Sequence, residues 1–246
     1  MVKPIKKRKK KGDITDPYIS LPEKFMHAVS TNGKAIAIWA AGIVAVIAIS
    51  VGIYYYFEGK SKSASDAFFA ALDTYRKDSE LLAASAANNK QVSKTSYNSS
   101  IERFNGIVSN YGGSVYGAWS KVYIGNCYRK IGEDEKAKSY YLDFIKDYSK
   151  TDLVMFEAYQ NLTTILVDEK KFDDAIKYSN EYIGKEGPMV PEEFLNRIAF
   201  CYEQKKDLKN AEIAYRRIVE EYPESQLSGI AKEKADNIKT IVMQGL

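Results

Sequence analysis

AEIAYRRIVEEYPES, residues 211–225, is the stretch on which the fold turns. The small Ala211 is followed by Tyr215 four residues later, Ile218 at seven, Tyr222 at eleven, and then a breaker, Pro223. Spacings of four and seven place Ala211, Tyr215 and Ile218 on one face of a helix. Proline disfavours the helical region for the residue before it, so this helix should stop at Tyr222. Two other stretches read the same way: SIERFNGIVSNYGGS at 100–114 and AKSYYLDFIKDYSKT at 137–151. Phe104, Tyr141, Tyr178 and Tyr215 are each 37 residues apart, and so are Gly125, Leu162 and Ala199 in the segments preceding them. A fixed period of this length signals stacked helical hairpins.

Working outward, the apolar stripe Leu195, Ile198, Ala199 and Tyr202 forms a helix ahead of the quoted one, and the polar EQKKDLKN between them is a turn. Four units follow: 64–83 with 97–110, 116–131 with 134–148, 152–168 with 172–184, and 191–205 with 208–222. In the third unit the register slips by about one residue near Leu162-Thr163 and Ala175-Tyr178. The first unit is atypical, because the polar stretch 84–98 intrudes between its helices. Residues 225–243 form a last amphipathic helix with no partner in sequence, placed to cover the open end of the stack.

Upstream, residues 35–57 read AIAIWAAGIVAVIAISVGIYYYF, without a charge. At 1.5 Å per residue this helix spans roughly 34 Å, against a hydrocarbon core of about 30 Å. Trp39 near one end and Tyr54, Tyr55 and Tyr56 at the other suit the two membrane interfaces. Lys6, Lys7, Arg8, Lys9, Lys10 and Lys11 form a basic run that holds the N-terminal side in the cytoplasm by the positive-inside rule. A cleaved signal peptide has a shorter apolar region and a shorter lead. The basic run is also the composition of a nucleic-acid or nuclear-import patch, but beside a span topology explains it more simply. Ser20-Leu21-Pro22-Glu23 reads as a capped start for a short juxtamembrane helix, either a membrane-surface element or a lead-in to the span.

The chain has 246 residues and a net charge of +4. Residues 1–34 hold nine Lys/Arg and three Asp/Glu, so the remainder beyond the uncharged span is slightly acidic, with 27 basic residues against 29 acidic. A near-neutral domain lacks the concentrated basic face that nucleic-acid binding needs. One histidine, His27, and two cysteines, Cys127 and Cys201, offer neither a metal cluster nor a disulfide framework. The acid pairs Asp173-Asp174 and Glu192-Glu193 fall near helix starts, where carboxylates favour the dipole without any catalytic role. No catalytic set, metal, cofactor or small-molecule substrate is expected.

The hairpins resemble the tetratricopeptide repeat. Gly125 with Tyr128 and Ala199 with Tyr202 match its first helix, Ala137 with Tyr141 and Ala211 with Tyr215 its second, and Pro223 its terminal proline. With the apolar span, the resemblance gives an all-α expectation: an N-terminal transmembrane helix followed by a tetratricopeptide-type α-solenoid of about four hairpins and a C-terminal capping helix. The expected division is a basic cytoplasmic tail with a short juxtamembrane helix at 1–34, a transmembrane helix at 35–57 and an extracytoplasmic repeat domain at 58–246. It also implies a concave protein-binding groove lined by first helices: Trp119, Val122, Asn126 and Arg129, then Glu157, Gln160 and Thr164, then Glu193, Asn196, Phe200 and Glu203. Trp119 and Phe200 are either interface anchors or core residues.

The segment Asn32-Gly33-Lys34-Ala35 before the span, followed by a repeat domain, resembles a narrower family, the single-span ancillary subunit of the bacterial Sec translocon (YfgM-like proteins). That resemblance implies an inner-membrane protein with a periplasmic domain whose partners are the translocon and periplasmic chaperones. The second helices also resemble periplasmic repeat proteins that scaffold envelope machines, such as outer-membrane assembly, Tol-associated or flagellar-motor collar components.

Overall fold

The computed structural model describes residues 21–87 and 95–244. The basic run Lys6–Lys11 and the capping residue Ser20 lie outside them. The described residues form α-helices joined by turns, with no strand among them. These are α1 Leu21–Ala87, α2 Asn98–Tyr111, α3 Val115–Lys130, α4 Asp134–Asp147, α5 Leu153–Asp168, α6 Phe172–Ile183, α7 Pro191–Gln204, α8 Leu208–Glu221 and α9 Gln226–Met243. The all-helical expectation holds, and from α2 onward the ends match the sequence reading to within two residues.

One difference concerns α1. The sequence separates a span at 35–57 from a repeat helix at 64–83, whereas α1 is a single helix through both. The linking residues 58–63 contain Gly59 but no proline. A lone glycine costs a helix only about 1 kcal/mol, too little to end it.

Internal contacts divide the chain between Gly59 and Lys60. In the N-terminal unit, α1 is long and apolar enough to cross a membrane by length and composition, and none of its most apolar 18 residues is buried. Trp39, Tyr54, Tyr55 and Tyr56 are all exposed.

In the second unit, each helix from α2 to α9 packs on the next, and α3 also meets α5, as α7 meets α9. The larger core runs from Val122 through Tyr141, Tyr159, Leu162, Phe194 and Tyr215 to Ala235 and Ile238 of α9, so the last helix does cover the end of the stack. A second cluster joins Phe68 and Ala71 of α1 to Phe104, Ile107 and Ile124. Side-chain caps start several helices: Asp152 accepts from the amides of Val154 and Met155 at 3.1 and 3.0 Å, Ser114 from Gly117 at 3.1 Å and Ser225 from Leu227 at 3.2 Å.

Three hairpins share one turn. Gly132, Lys170 and Lys206 each adopt a positive φ, between 58 and 76°. After each, the next amide bonds back across the turn: Glu133 to the Tyr128 carbonyl, Lys171 to Leu166 and Asp207 to Tyr202, at 2.8–2.9 Å. This is the Schellman closure of a helix end. The three positions are 38 and then 36 residues apart.

The same two intervals separate Gly125, Thr163 and Ala199 on the first helices, and Tyr141, Ser179 and Tyr215 on the second. All six are buried. The aromatic ladder at 37 is therefore corrected in the third hairpin: Tyr178 is only partly buried, and Ser179 occupies the core position. The one-residue slip seen in the sequence is a displacement of that whole hairpin.

Candidate protein-binding groove

The inner face of the stack is built from α3, α5 and α7, with α9 and the C-terminal part of α1 closing its two ends. On α3, Asn126 lies one turn before Arg129, and both face α5. Asn126 is 6% exposed and organises a polar network. Its amide nitrogen donates to Glu157 Oε1 at 2.7 Å. Its oxygen accepts from the Tyr141 hydroxyl at 2.7 Å and from Asn161 Nδ2 at 2.9 Å. Arg129 donates to Asn161 Oδ1 at 2.6 Å. Tyr75, Asn126, Arg129, Lys130, Glu157 and Asn161 line a polar recess on the face. Burial raises the Glu157 carboxyl above the usual carboxylate range, against the opposing hydrogen bond from Asn126. Burial likewise pushes the Tyr75 and Tyr141 hydroxyls well up.

Further along lies a groove of about 670 Å³. Thr164 and Val167 of α5, Glu193, Asn196, Arg197 and Phe200 of α7, and Leu227 and Lys234 of α9 are among its walls. Gln160 sits between the two recesses. Its amide donates to Glu193 at 3.3 Å, and its carbonyl accepts from Arg197 at 3.3 Å. Arg197 also donates to Thr163 Oγ1 and lies over the Phe194 ring at 5.5 Å. Burial lowers the tendency of its guanidinium to hold a proton. Lys234 meets the Tyr215 hydroxyl at 2.9 Å and Glu203 at 3.3 Å.

The structure sorts the sequence-derived groove residues. Asn126, Arg129 and Glu157 line the first recess, and Thr164, Glu193, Asn196 and Phe200 the second. Phe200 remains 38% exposed, so it presents surface rather than filling the core. Val122 is corrected: it has no exposed surface and belongs to the larger core, because its side of α3 is covered by neighbouring helices. For Trp119 the packing favours the core alternative. This residue is partly buried, lies 5.8 Å from Phe68 and 5.5 Å from Tyr116, and donates its indole N–H to the Tyr148 hydroxyl at 3.1 Å. Phe68 on α1 covers that end of the face, so Trp119 joins helices instead of awaiting a partner. Tyr148 in turn donates to Asp152, and burial together with that bond pushes its hydroxyl up to about 12.

Sequence reasoning missed Asn161, Arg197, Leu227 and Lys234. The first two sit one residue beside the positions that a strict repeat register selects, in or next to the displaced hairpin. The last two lie on α9, which the repeat pattern treats only as a cap.

Cys127 and Cys201 are free and buried. Burial pushes both thiols up, Cys201 to about 11, so neither is a reactive thiolate at neutral pH.

The family model described as Tetratricopeptide repeat matches residues 120–151 and 197–225. No curated protein matches the chain. The two matched stretches run from α3 to the end of α4 and from α7 to the end of α8, so the second and fourth hairpins are tetratricopeptide repeats.

Proposed function

We propose that this chain is a membrane-anchored protein–protein interaction module of the bacterial envelope, which assists secretory protein translocation or the hand-off of exported chains to periplasmic chaperones. Tetratricopeptide repeats suggest an interaction module, and the geometry of the inner face supports that reading. The observation that carries it is the groove along α7, where Phe200 is exposed beside Asn196, an amide with no hydrogen-bond partner among the described residues. Large aromatics left exposed on a groove are what a partner chain covers. The unburied apolar segment of α1 supports the anchor, with Trp39 and Tyr54–Tyr56 at the interfaces and the basic run Lys6–Lys11 on the cytoplasmic side. The Asn32-Gly33-Lys34-Ala35 lead into the span favours a translocon-associated role.

Two measurements test this reading. A photo-crosslinking residue at position 200, activated in cells, should trap channel or chaperone components. Recovery of only motor or outer-membrane assembly proteins would replace the translocation role with a scaffold role. External protease should digest the C-terminal domain in cells with a permeabilised outer membrane; protection until the inner membrane is opened would overturn the topology.

A further inference from the structure

Leu153, Met189 and Val190 are apolar residues on one edge of the repeat domain, 61, 39 and 39% exposed. Leu153 starts α5, and Met189 and Val190 lead into α7. One turn into α5, the Phe156 ring lies 6.1 Å from that of Tyr182. The Tyr182 hydroxyl accepts from the Met189 amide at 2.9 Å and donates to the Met189 carbonyl at 3.0 Å. Pro188 and the buried Pro191 flank the two apolar residues. This apolar tip is held in place before any partner arrives, so covering it costs little ordering entropy.

The charge around the tip is one-sided. EYIGKEGPMVPEE at 181–193 and EEYPES at 220–225 together hold seven glutamates and one lysine. The two stretches meet, because Val190, Glu192, Ser225 and Gln226 line one recess. The lysine, Lys185, lies over the Tyr159 ring at 5.3 Å. Glu181, Glu193 and Glu221 are engaged by Tyr159, Gln160 and Arg217. Glu186, Glu192, Glu220 and Glu224 make no ion pair among the described residues. Part of this charge also opposes the helices that carry it. Glu181 falls in the last turn of α6, and Glu220 and Glu221 in that of α8, with no basic residue in either turn. A helix C-terminus disfavours carboxylates and favours cations. The equivalent α4 ends with Lys146 instead.

Resting on the interaction-module reading, we propose that this edge docks a basic amphipathic segment of a partner protein. Its apolar side chains cover Leu153, Met189 and Val190, and its lysines or arginines pair with Glu186, Glu192 and Glu224. Charge complementarity selects the cations, and the rigid apolar tip selects what lies between them. Helix ends and a loop make the contact, rather than the concave faces of the first helices.

The test uses the full chain in non-ionic detergent micelles and a fluorescein-labelled peptide with a central Lys-Leu-Arg-Leu-Lys flanked by Gly and Ser, read by fluorescence anisotropy against protein-free micelles. The basic peptide should bind about tenfold or more tighter than a counterpart with glutamine in place of each cation, the combined worth of several exposed ion pairs. Glu192→Gln combined with Glu224→Gln should weaken it by about threefold or more. Val190→Asn removes apolar surface while keeping a residue that tolerates the left-handed conformation, and should weaken it by about threefold or more. Glu102→Gln, an exposed acid on α2, should leave it unchanged. Circular dichroism checks that each variant folds, and the double glutamine variant carries the test if Val190→Asn does not. Equal affinity for the basic and glutamine peptides overturns the proposal, as does affinity indifferent to the double variant or to a folded Val190→Asn. If position 200 crosslinks a partner in cells while the basic peptide shows no preference, this inference fails and the interaction role stands. If neither occurs, both fail.

Discussion

A Cβ placed on Gly125 would stand 2.6 Å from Cε1 of Tyr141, closer than side-chain carbons approach one another. The contact is the seam of the second hairpin. Both residues are fully enclosed, and the Tyr141 hydroxyl is fixed by Asn126, so the ring has no room to retreat. Gly125→Ala should therefore destabilise the domain by about 1–3 kcal/mol, the range for overpacking a tight core. Chemical denaturation reads this directly, and an unchanged midpoint would show that the hairpin opens freely. The fourth hairpin carries Ala199 at the same place, so Ala199→Gly should produce no corresponding gain in packing.

Ser179 has the one buried side-chain oxygen or nitrogen without a partner among the described residues. It stands in the third hairpin where its neighbours place Tyr141 and Tyr215. An unsatisfied buried hydroxyl costs about 1–3 kcal/mol, and an apolar replacement of similar shape removes that cost. Ser179→Ala should raise the denaturation midpoint, by about 1 kcal/mol in stability. A loss instead would mean that a water molecule completes the site.

Lys206 holds a left-handed conformation with φ 60° in the turn between α7 and α8. The equivalent position in the second hairpin is Gly132, with φ 76°. The left-handed region costs a side-chain-bearing residue about 1–2 kcal/mol, partly offset by the greater unfolded-state entropy of glycine. Lys206→Gly should stabilise by about 0.5–1 kcal/mol, and Gly132→Ala should destabilise by about the same or more, both measurable by thermal melts.

Glu157 sets a pH dependence with a definite sign. Its native carboxyl is raised by burial, so the folded protein binds its proton more tightly than the unfolded chain. Stability from this group is present below the ordinary carboxylate value and declines as pH rises through the raised native value. Glu157→Gln keeps an oxygen to accept from Asn126 but has no charge to desolvate. The variant should be more stable than the parent at neutral pH, with the gap closing at pH values below the ordinary glutamate range. Urea titrations at several pH values check this, and a gap of constant size across pH would exclude the carboxyl as its source.

The helices of the stack were legible because most carry a stripe of small and aromatic residues at helical spacing, and because breakers such as Pro223 punctuate it. Even the displaced hairpin left a trace, Leu162-Thr163 against Ala175-Tyr178. Its correct partner, Ser179, was not legible, since a serine gives no core signal without knowledge of what encloses it. The groove was half visible. Asn126, Asn196 and Phe200 follow from the register of the repeat that the sequence resembles, whereas Val122 and Trp119 look equivalent in that register and are withdrawn by helices packing from outside their own hairpin. Arg197 was missed because its place in the groove depends on what surrounds it, and surroundings are a tertiary fact. The continuity of α1 was missed because Gly59 amid polar residues reads as a break, and nothing local opposes it.

The shared left-handed turns at Gly132, Lys170 and Lys206 have a practical consequence for protein engineering. Since the two intervals differ by two residues in length yet close on the same hydrogen bonds, these turns are natural splice points. Chimeras joined there can exchange 38- and 36-residue modules without rotating the helices that follow. Joints cut at a uniform 37 would turn one helix by about 100° and expose its buried stripe.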